Sequence, residues 1–245
     1  MVEVQELTKT FRDKKRGEFR AVDAVSFRCQ PGQIFGLLGV NGAGKTTCLR
    51  LLSTILRPTA GTARVAGHDI VAAPQQVRAR VGFLSTATAL YDRLTARELV
   101  EYFGRLNGLA ENLLRERVDS LFTLLEMQEF RDRRCAKLST GMKQKVSIAR
   151  ALVHDPAVMI FDEPTLGLDV LTARTIVGFI RDCRARGKTV IFSSHVMSEV
   201  EKLCDQVAII HDGRIRAEGT VAQLRERAGL TDLEDIFVKI VEDRP

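Results

Sequence analysis

The sequence has no window of about 18 consecutive apolar residues, the length a bilayer-spanning helix requires, so no segment of it is expected to cross a membrane. Its first residues, Met1-Val2-Glu3-Val4-Gln5-Glu6, lack the basic-then-apolar order of a secretory leader. Internal repeats, low-complexity stretches and heptad runs are also absent, which excludes solenoids, linkers and long coiled coils. Cysteine is sparse and scattered. The five thiols, Cys29, Cys48, Cys135, Cys183 and Cys204, are odd in number and show neither CxxC nor Cys/His ligand spacing. A disulfide framework or structural zinc is therefore not expected, and the cysteines read as small core or surface residues of a cytoplasmic chain.

What is present is the balance of an ordinary globular protein. The 245 residues suit one large α/β domain or a domain with a subdomain, and 45% hydrophobic with 28% charged residues leaves enough apolar surface for a core. The net charge of +6 could face nucleic acid, anionic lipid or a polyanionic nucleotide. Two runs contribute to it, Lys14-Lys15-Arg16 and Arg131-Asp132-Arg133-Arg134, and either reads equally as a solvated surface.

Strand and helix signals alternate, the pattern of a mostly parallel sheet. Residues 2–7 and 24–29 read as early strands around a charged turn. Residues 33–38 read as a buried strand, and 46–56 as a helix with Leu49, Leu52 and Leu56 on one face. From about residue 95 to 152 the texture is helical, with one stripe of Leu99, Tyr102, Phe103 and Leu106 and another of Val118, Leu121, Phe122 and Leu125. Strand signals return at 157–161, 189–193 and 207–211, and Asp212-Gly213 reads as a hairpin turn into 214–218. The expected organisation is an α/β core of residues 1–86 and 155–220, an inserted helical subdomain of 87–154 and a helical tail of 221–245.

Between the buried strand and its helix lies Gly39-Val40-Asn41-Gly42-Ala43-Gly44-Lys45-Thr46, followed by Thr47. This is the G-x-x-x-x-G-K-[ST] phosphate loop in the context that loop needs. Its glycines let successive N–H groups point at phosphate oxygens, and the following helix adds the positive end of its dipole. Lys45 can reach the β- and γ-phosphates, and the Thr46 hydroxyl can ligate Mg²⁺. A second apolar strand, Val158-Met159-Ile160-Phe161, delivers Asp162 and Glu163 at its carboxyl end, where open α/β sheets bind ligands. Asp162 fits a Mg²⁺-associated acid, and Glu163 is placed to orient or deprotonate a water. In Leu138-Ser139-Thr140-Gly141-Met142-Lys143-Gln144-Lys145, Ser139 can cap a helix whose free N–H groups would hold an anion. Taken alone these residues could be an ordinary capped helix; their place just before the carboxylate strand favours the anion site.

In this order the motifs resemble those of the ABC-family nucleotide-binding domain over nearly the whole chain. The implied fold is a P-loop NTPase of the ABC ATPase type, a helical subdomain inserted in a mostly parallel α/β sheet. Residues 138–144 resemble the family signature, with Thr140 and Met142 varying it. Leu166-Gly167-Leu168-Asp169 is similar to the D-loop, His195 in Ser193-Ser194-His195 to the switch histidine, and Phe11 to the aromatic that stacks on adenine. The resemblance implies two ATP molecules sandwiched between two such domains, a homodimer here. Each ATP would lie on residues 39–47 of one copy and on Ser139, Thr140 and Gly141 of the other, with Asp169 sensing the partner. Thr86 stands where most relatives carry a glutamine that meets Mg²⁺ or its water, and threonine reaches less far.

Residues 82–85 and 90–98 further resemble the ATPase subunits of bacterial sodium-efflux exporters, and 233–238 the endings of the wider exporter group. The function implied is ATP hydrolysis driving export of sodium ions or drugs through a separate transmembrane subunit, at the inner face of the cell membrane. The alternative is a soluble ABC ATPase acting on nucleic acid, ribosomes or cofactor assembly. A single domain without a heptad run argues against nucleic acid as a partner. A non-hydrolysing subunit is disfavoured by the joint presence of Lys45, Asp162, Glu163 and His195.

Overall fold

A computed structural model describes residues 1–13, 17–85 and 89–242 of the chain. The basic run Lys14-Lys15-Arg16 and the residue at the glutamine position, Thr86, lie outside the described residues. In chain order the elements are β1 (Val2–Asp13), β2 (Gly17–Cys29), β3 (Ile34–Leu38), α1 (Lys45–Leu52), β4 (Ala60–Val65), β5 (His68–Asp69), α2 (Pro74–Arg78) and β6 (Val81–Ser85). Three longer helices follow, α3 (Ala96–Leu106), α4 (Glu111–Leu124) and α5 (Thr140–Leu152). The chain then runs through β7 (Val158–Asp162), α6 (Val170–Ala185), β8 (Thr189–Ser194), α7 (Met197–Leu203), β9 (Gln206–His211), β10 (Arg214–Gly219), α8 (Val221–Ala228) and α9 (Leu233–Glu242).

Two sheets result. One is antiparallel, in the order β2-β1-β4-β5; the other runs β10-β9-β3-β8-β7-β6 and is parallel except for β10 at its edge. Strands β3, β7 and β8 are buried at every position, which is why they read as unbroken apolar runs rather than alternating ones. Their residues still part by strand parity. Ile34, Leu38, Met159, Phe161, Val190 and Phe192 enter the core shared with the helices. Phe35, Leu37, Val158, Ile160 and Ile191 enter the core beneath the antiparallel sheet and α1. At about 1.5–3 kcal/mol for each fully buried large apolar side chain, both faces of this sheet contribute to holding it in place beneath the loops.

The β1–β2 pair is longer than the sequence pattern indicates. Both strands carry residues at positive φ, Glu6 at 48° and Ala24 at 49°, and the pairing shifts register there. These bulges interrupt the alternation near residues 7 and 24, so the pattern stops at them while the ladder continues. Helix α1 is shorter than the expected 46–56. Thr54 takes φ 60°, and the N–H groups of Ile55 and Leu56 turn back onto the Arg50 carbonyl, leaving Leu56 packed on the core from outside the helix.

The inserted helices start and stop on local chemistry. Thr95 and Glu98 form a reciprocal capping box at α3, worth about 1 kcal/mol. The buried face of α3 is Ala96, Leu99, Val100 and Gly104, with Phe103 partly covered. Tyr102 and Leu106 are instead 43% and 67% exposed, so the expected stripe is rotated: the i, i+3, i+4 series from Ala96 faces inward. Leu233, Ile236 and Phe237 of α9 are buried in the same core as the helices. The five cysteines are free thiols, and burial pushes Cys29, Cys48 and Cys183 up to about 12, which keeps them protonated. Among the described residues no helix is long and apolar enough to cross a membrane.

Candidate functional site

Parallel pairing aligns the carboxyl ends of the central strands. Leu38 of β3 is opposite Ser194 of β8, Asp162 of β7 is opposite Ser193, and Ser85 of β6 is opposite Asp162. The loops leaving these ends surround a cavity of about 510 Å³ whose wall includes Asn41, Gly42, Gly44, Lys45, Thr46, Thr47, Asp162 and Glu163. Phosphate-loop residues and strand-end acids, far apart in sequence, thus share one space.

The start of α1 is built for an anion. Gly44 precedes it at φ 109°, no side chain caps it, and no acidic residue occupies its first turn. With no side chain satisfying them, the first N–H groups of α1 are left for a ligand, and they face the cavity that Gly44, Lys45, Thr46 and Thr47 line. The Lys45 ammonium, 5% exposed, donates to the carbonyls of Gly39 at 2.6 Å and Val40 at 3.2 Å. It also meets Glu163 Oε1 at 3.0 Å as an ion pair without hydrogen-bond alignment, leaving that oxygen otherwise unpartnered. Ala43 is buried beneath the loop.

The first of the two strand-end acids is held by hydroxyls. Asp162 accepts from Thr46 Oγ1 at 3.0 Å, Ser193 Oγ at 2.9 Å and Ser85 Oγ at 3.4 Å. One buried carboxylate among hydroxyls is a hard oxygen donor set of the kind Mg²⁺ takes. Among the described residues no group of three or more His, Cys, Asp and Glu assembles. A cation held by Thr46 and Asp162 would therefore complete its shell with phosphate and water oxygens, as Mg²⁺ does.

Glu163 stands at φ 50°, a conformation that costs a non-glycine residue about 1–3 kcal/mol. Its N–H donates to both the carbonyl and the hydroxyl of Ser193, at 3.2 and 3.1 Å, which fixes the bend. The bend turns its carboxylate towards Lys45 on one side and His195 on the other, and His195 Nδ1 lies 2.6 Å from Glu163 Oε2.

Phe11 is on the cavity wall, and it does not stand alone. Phe19, its partner across β1–β2, is also on the wall, with ring centroids 5.9 Å apart and Lys9 Nζ 5.3 Å from the Phe11 ring. Phe19 is not legible in the sequence, because the expected early strands cover only 2–7 and 24–29 and leave both rings in the turn between them. Nor is the site role of Ser193 legible there, because its hydroxyl is directed by strand register.

Ser139, Thr140, Gly141 and Asp169 are not part of this cavity wall. Ser139 caps α5, accepting from the Met142 N–H at 3.3 Å, and Asp169 caps α6, accepting from Leu171 and Thr172. Hydrogen bonds from Thr172 hold the Asp169 carboxyl below its usual range. The two helix starts adjoin: a Cβ built on Gly141 would lie 3.3 Å from Thr172 Oγ1, which itself bonds Asp169 at 2.7 Å. They form an exposed surface outside the cavity wall.

Comparison with known proteins agrees with this architecture. Residues 22–166 match the protein family described as ABC transporter. The chain is 42% identical over 239 residues, 97% of each protein, to the ABC transporter ATP-binding protein NatA of Bacillus subtilis. It is 42% identical over 91% of its length to the Nod factor export ATP-binding protein I of Paraburkholderia xenovorans, covering 74% of that protein. Over 89% of the chain it is 36% identical to a daunorubicin resistance ATP-binding protein of Streptomyces coeruleorubidus, covering 69% of that protein. Among solved structures, an ATP-binding subunit of an ABC transporter superposes with a TM-score of 0.87 at 28% identity, covering 98% of this chain and 99% of that one. A dimeric ATP-binding cassette bound to ADP and Pi gives 0.82 at 25% identity, covering 90% and 98%. With a phosphate loop, strand-end acids and near-complete coverage by these relatives, the chain belongs to the ABC transporter family as an ATP-binding, ATP-hydrolysing subunit.

Proposed function

We propose that this chain supplies the power stroke of an exporter, working as two copies beneath a separate transmembrane subunit, with sodium ions or drugs as cargo. The observation that carries the chemistry is the meeting of Lys45, Thr46, Asp162, Glu163 and His195 at the aligned strand ends. ATP lies along residues 39–47, with its base over the Phe11–Phe19 pair and its phosphates at the N-terminus of α1. Lys45 exchanges its contact with Glu163 for phosphate oxygens, which frees the carboxylate to hold the attacking water. Thr46 and Asp162 are the residues that would hold Mg²⁺, which when bound neutralises charge on the phosphate oxygens. His195 fixes the orientation of Glu163 through Nδ1 and presents its other ring nitrogen to the γ-phosphate. Water then adds to the γ-phosphorus as the bond to the ADP oxygen breaks, giving ADP and phosphate. Ser139, Thr140 and Gly141 of the second copy close the site, and loss of the γ-phosphate removes the acceptors that hold them there.

The names of the Nod factor export and daunorubicin resistance relatives support outward transport, and the resemblance of residues 82–85 and 90–98 supports sodium. A membrane partner is supported by a second cavity, about 330 Å³, between the core and the inserted helices. Phe83, Phe103, Leu106 and Ile55 are on its wall, and Leu106 and Ile55 are 67% and 58% exposed, an apolar rim that a partner would cover.

Glu163→Gln tests the chemistry. The variant is expected to bind ATP with near wild-type affinity and to lose at least about a hundredfold in turnover, as removal of a general base does. Wild-type hydrolysis by Glu163→Gln would remove Glu163 from the role. Reconstitution with the cognate membrane protein, followed by sodium and drug flux, tests the cargo.

A further inference from the structure

We propose that Glu199, on the first turn of α7, is a positioning residue for hydrolysis: its carboxylate ties the Glu163 loop to the His195 loop. The inference rests on the roles proposed above for Glu163 and His195 and adds a third group that holds them together.

Glu199 Oε2 accepts two hydrogen bonds, from Thr165 Oγ1 at 3.0 Å and from Ser194 Oγ at 3.2 Å. Thr165 lies two residues after Glu163, and Ser194 immediately precedes His195. Ser194 Oγ also accepts from the Val196 N–H at 3.0 Å, so the hydroxyl that reaches Glu199 shapes the bend carrying His195. The contacts close a ring. From Glu163 the chain runs to Thr165, crosses through Glu199 to Ser194, continues to His195, and returns through the 2.6 Å contact between Nδ1 and the Glu163 carboxylate.

Two features argue that this ring serves the site rather than stability alone. Among the described residues, the side-chain partners of Glu199 are two neutral hydroxyls and no cation, a poor return for desolvating a half-buried carboxylate. Glu163 itself sits at φ 50°, a conformation that persists only where its surroundings over-determine it. Ser193 fixes its N–H side, and the Thr165–Glu199 bond fixes the chain that leaves it. Without Glu199 the two loops can part, and the water that both residues address loses its alignment.

Both bonds end on one oxygen, so a carboxamide can replace the carboxylate: the Gln side-chain oxygen also accepts twice. Glu199→Ala is expected to lower kcat about tenfold or more while KM for ATP stays within about twofold, the signature of misaligned reacting groups. Glu199→Gln should restore kcat to within about threefold of wild type, because it keeps the acceptor and loses only the charge. Thr165→Val, which leaves α7 untouched, should fall between them and covers the case in which Glu199→Ala fails to fold. Wild-type kcat in folded Glu199→Ala or in Thr165→Val overturns the proposal. So does a Gln variant as slow as Ala, which would assign the effect to charge at the α7 N-terminus. Glu163→Gln in the same assay separates the two levels. If it is inactive while Glu199→Ala is normal, only the bridge is wrong; if it is fully active, the roles beneath the bridge are wrong as well.

Discussion

At Gly44 the phosphate loop packs closely against backbone from outside it. The Gly44 φ of 109° is open to glycine alone, and a Cβ placed there would press into the carbonyl oxygen of Ala21. Gly42, two residues earlier, also has positive φ, at 84°, but a Cβ there would meet nothing within 4 Å. The two positions separate conformational strain from steric overlap. Gly42→Ala should destabilise by about 1 kcal/mol, the cost of the left-handed backbone alone. Gly44→Ala should cost clearly more, about 2–4 kcal/mol, because rigid backbone opposes it as well. It should also weaken ATP binding at least about tenfold by tilting the N–H groups of α1. Urea denaturation ranks the two variants and nucleotide titration reads the binding; equal stability for both would mean that the Ala21 contact yields without cost.

At the scale of elements, the two sheets are joined by a charged clasp. Asp23 of β2 accepts from Arg214 Nε of β10 at 2.7 Å and from Arg20 at 2.9 Å, and its N–H donates to the Gly213 carbonyl at 2.8 Å. The Arg214 hydrogen bond, with Arg20 beside it, holds the Asp23 carboxyl below its ordinary range. A folded pKa below the unfolded value means that the clasp contributes fully above the usual carboxylate range and is lost as pH falls through that range towards the lowered value. Asp23→Asn removes this dependence. Its melting temperature should lie below that of wild type at neutral pH, and the gap should narrow on acidification; a constant gap would show that Asp23 titrates alike in both states. The clasp was not legible in the sequence, because it depends on which strands adjoin. Local signals served better. Strands β3, β7 and β8 were visible as apolar runs, and Gly39-Val40-Asn41-Gly42-Ala43-Gly44-Lys45-Thr46 carried its own context. Asp162 and Glu163 followed from their strand, and His195 from the family resemblance. What stayed hidden arose from register or from a local rule overridden: Phe19 beyond the Ala24 bulge, Ser193 aimed at Asp162, Thr54 ending α1, and Glu199 reaching two loops at once.

The molecule as a whole presents one face with unfinished chemistry. Leu166, Val170 and Leu171 are 53%, 75% and 75% exposed, and Leu166 also lies on the cavity wall. Val170 and Leu171 open α6 immediately after the Asp169 cap, next to the start of α5 with Ser139 and Gly141. An apolar group, an uncovered nucleotide cavity and a capped helix start therefore occupy adjoining surface, which a second copy in the proposed pairing would cover. A charge at Leu171 should oppose that pairing without touching the phosphate loop, because the side chain points to solvent in the single chain. In a Glu163→Gln background, where ATP persists, the parent protein is expected to run as a dimer with ATP in light scattering after size exclusion. Leu171→Glu added to it should give a monomer that still binds ATP with unchanged affinity. With Glu163 intact, the same substitution should lower turnover and make it rise with protein concentration, since each site would wait for a partner's Ser139 and Gly141. A dimer that survives Leu171→Glu would move the interface away from the start of α6, whereas loss of ATP binding by the monomer would mean that the patch supports the cavity from within one chain.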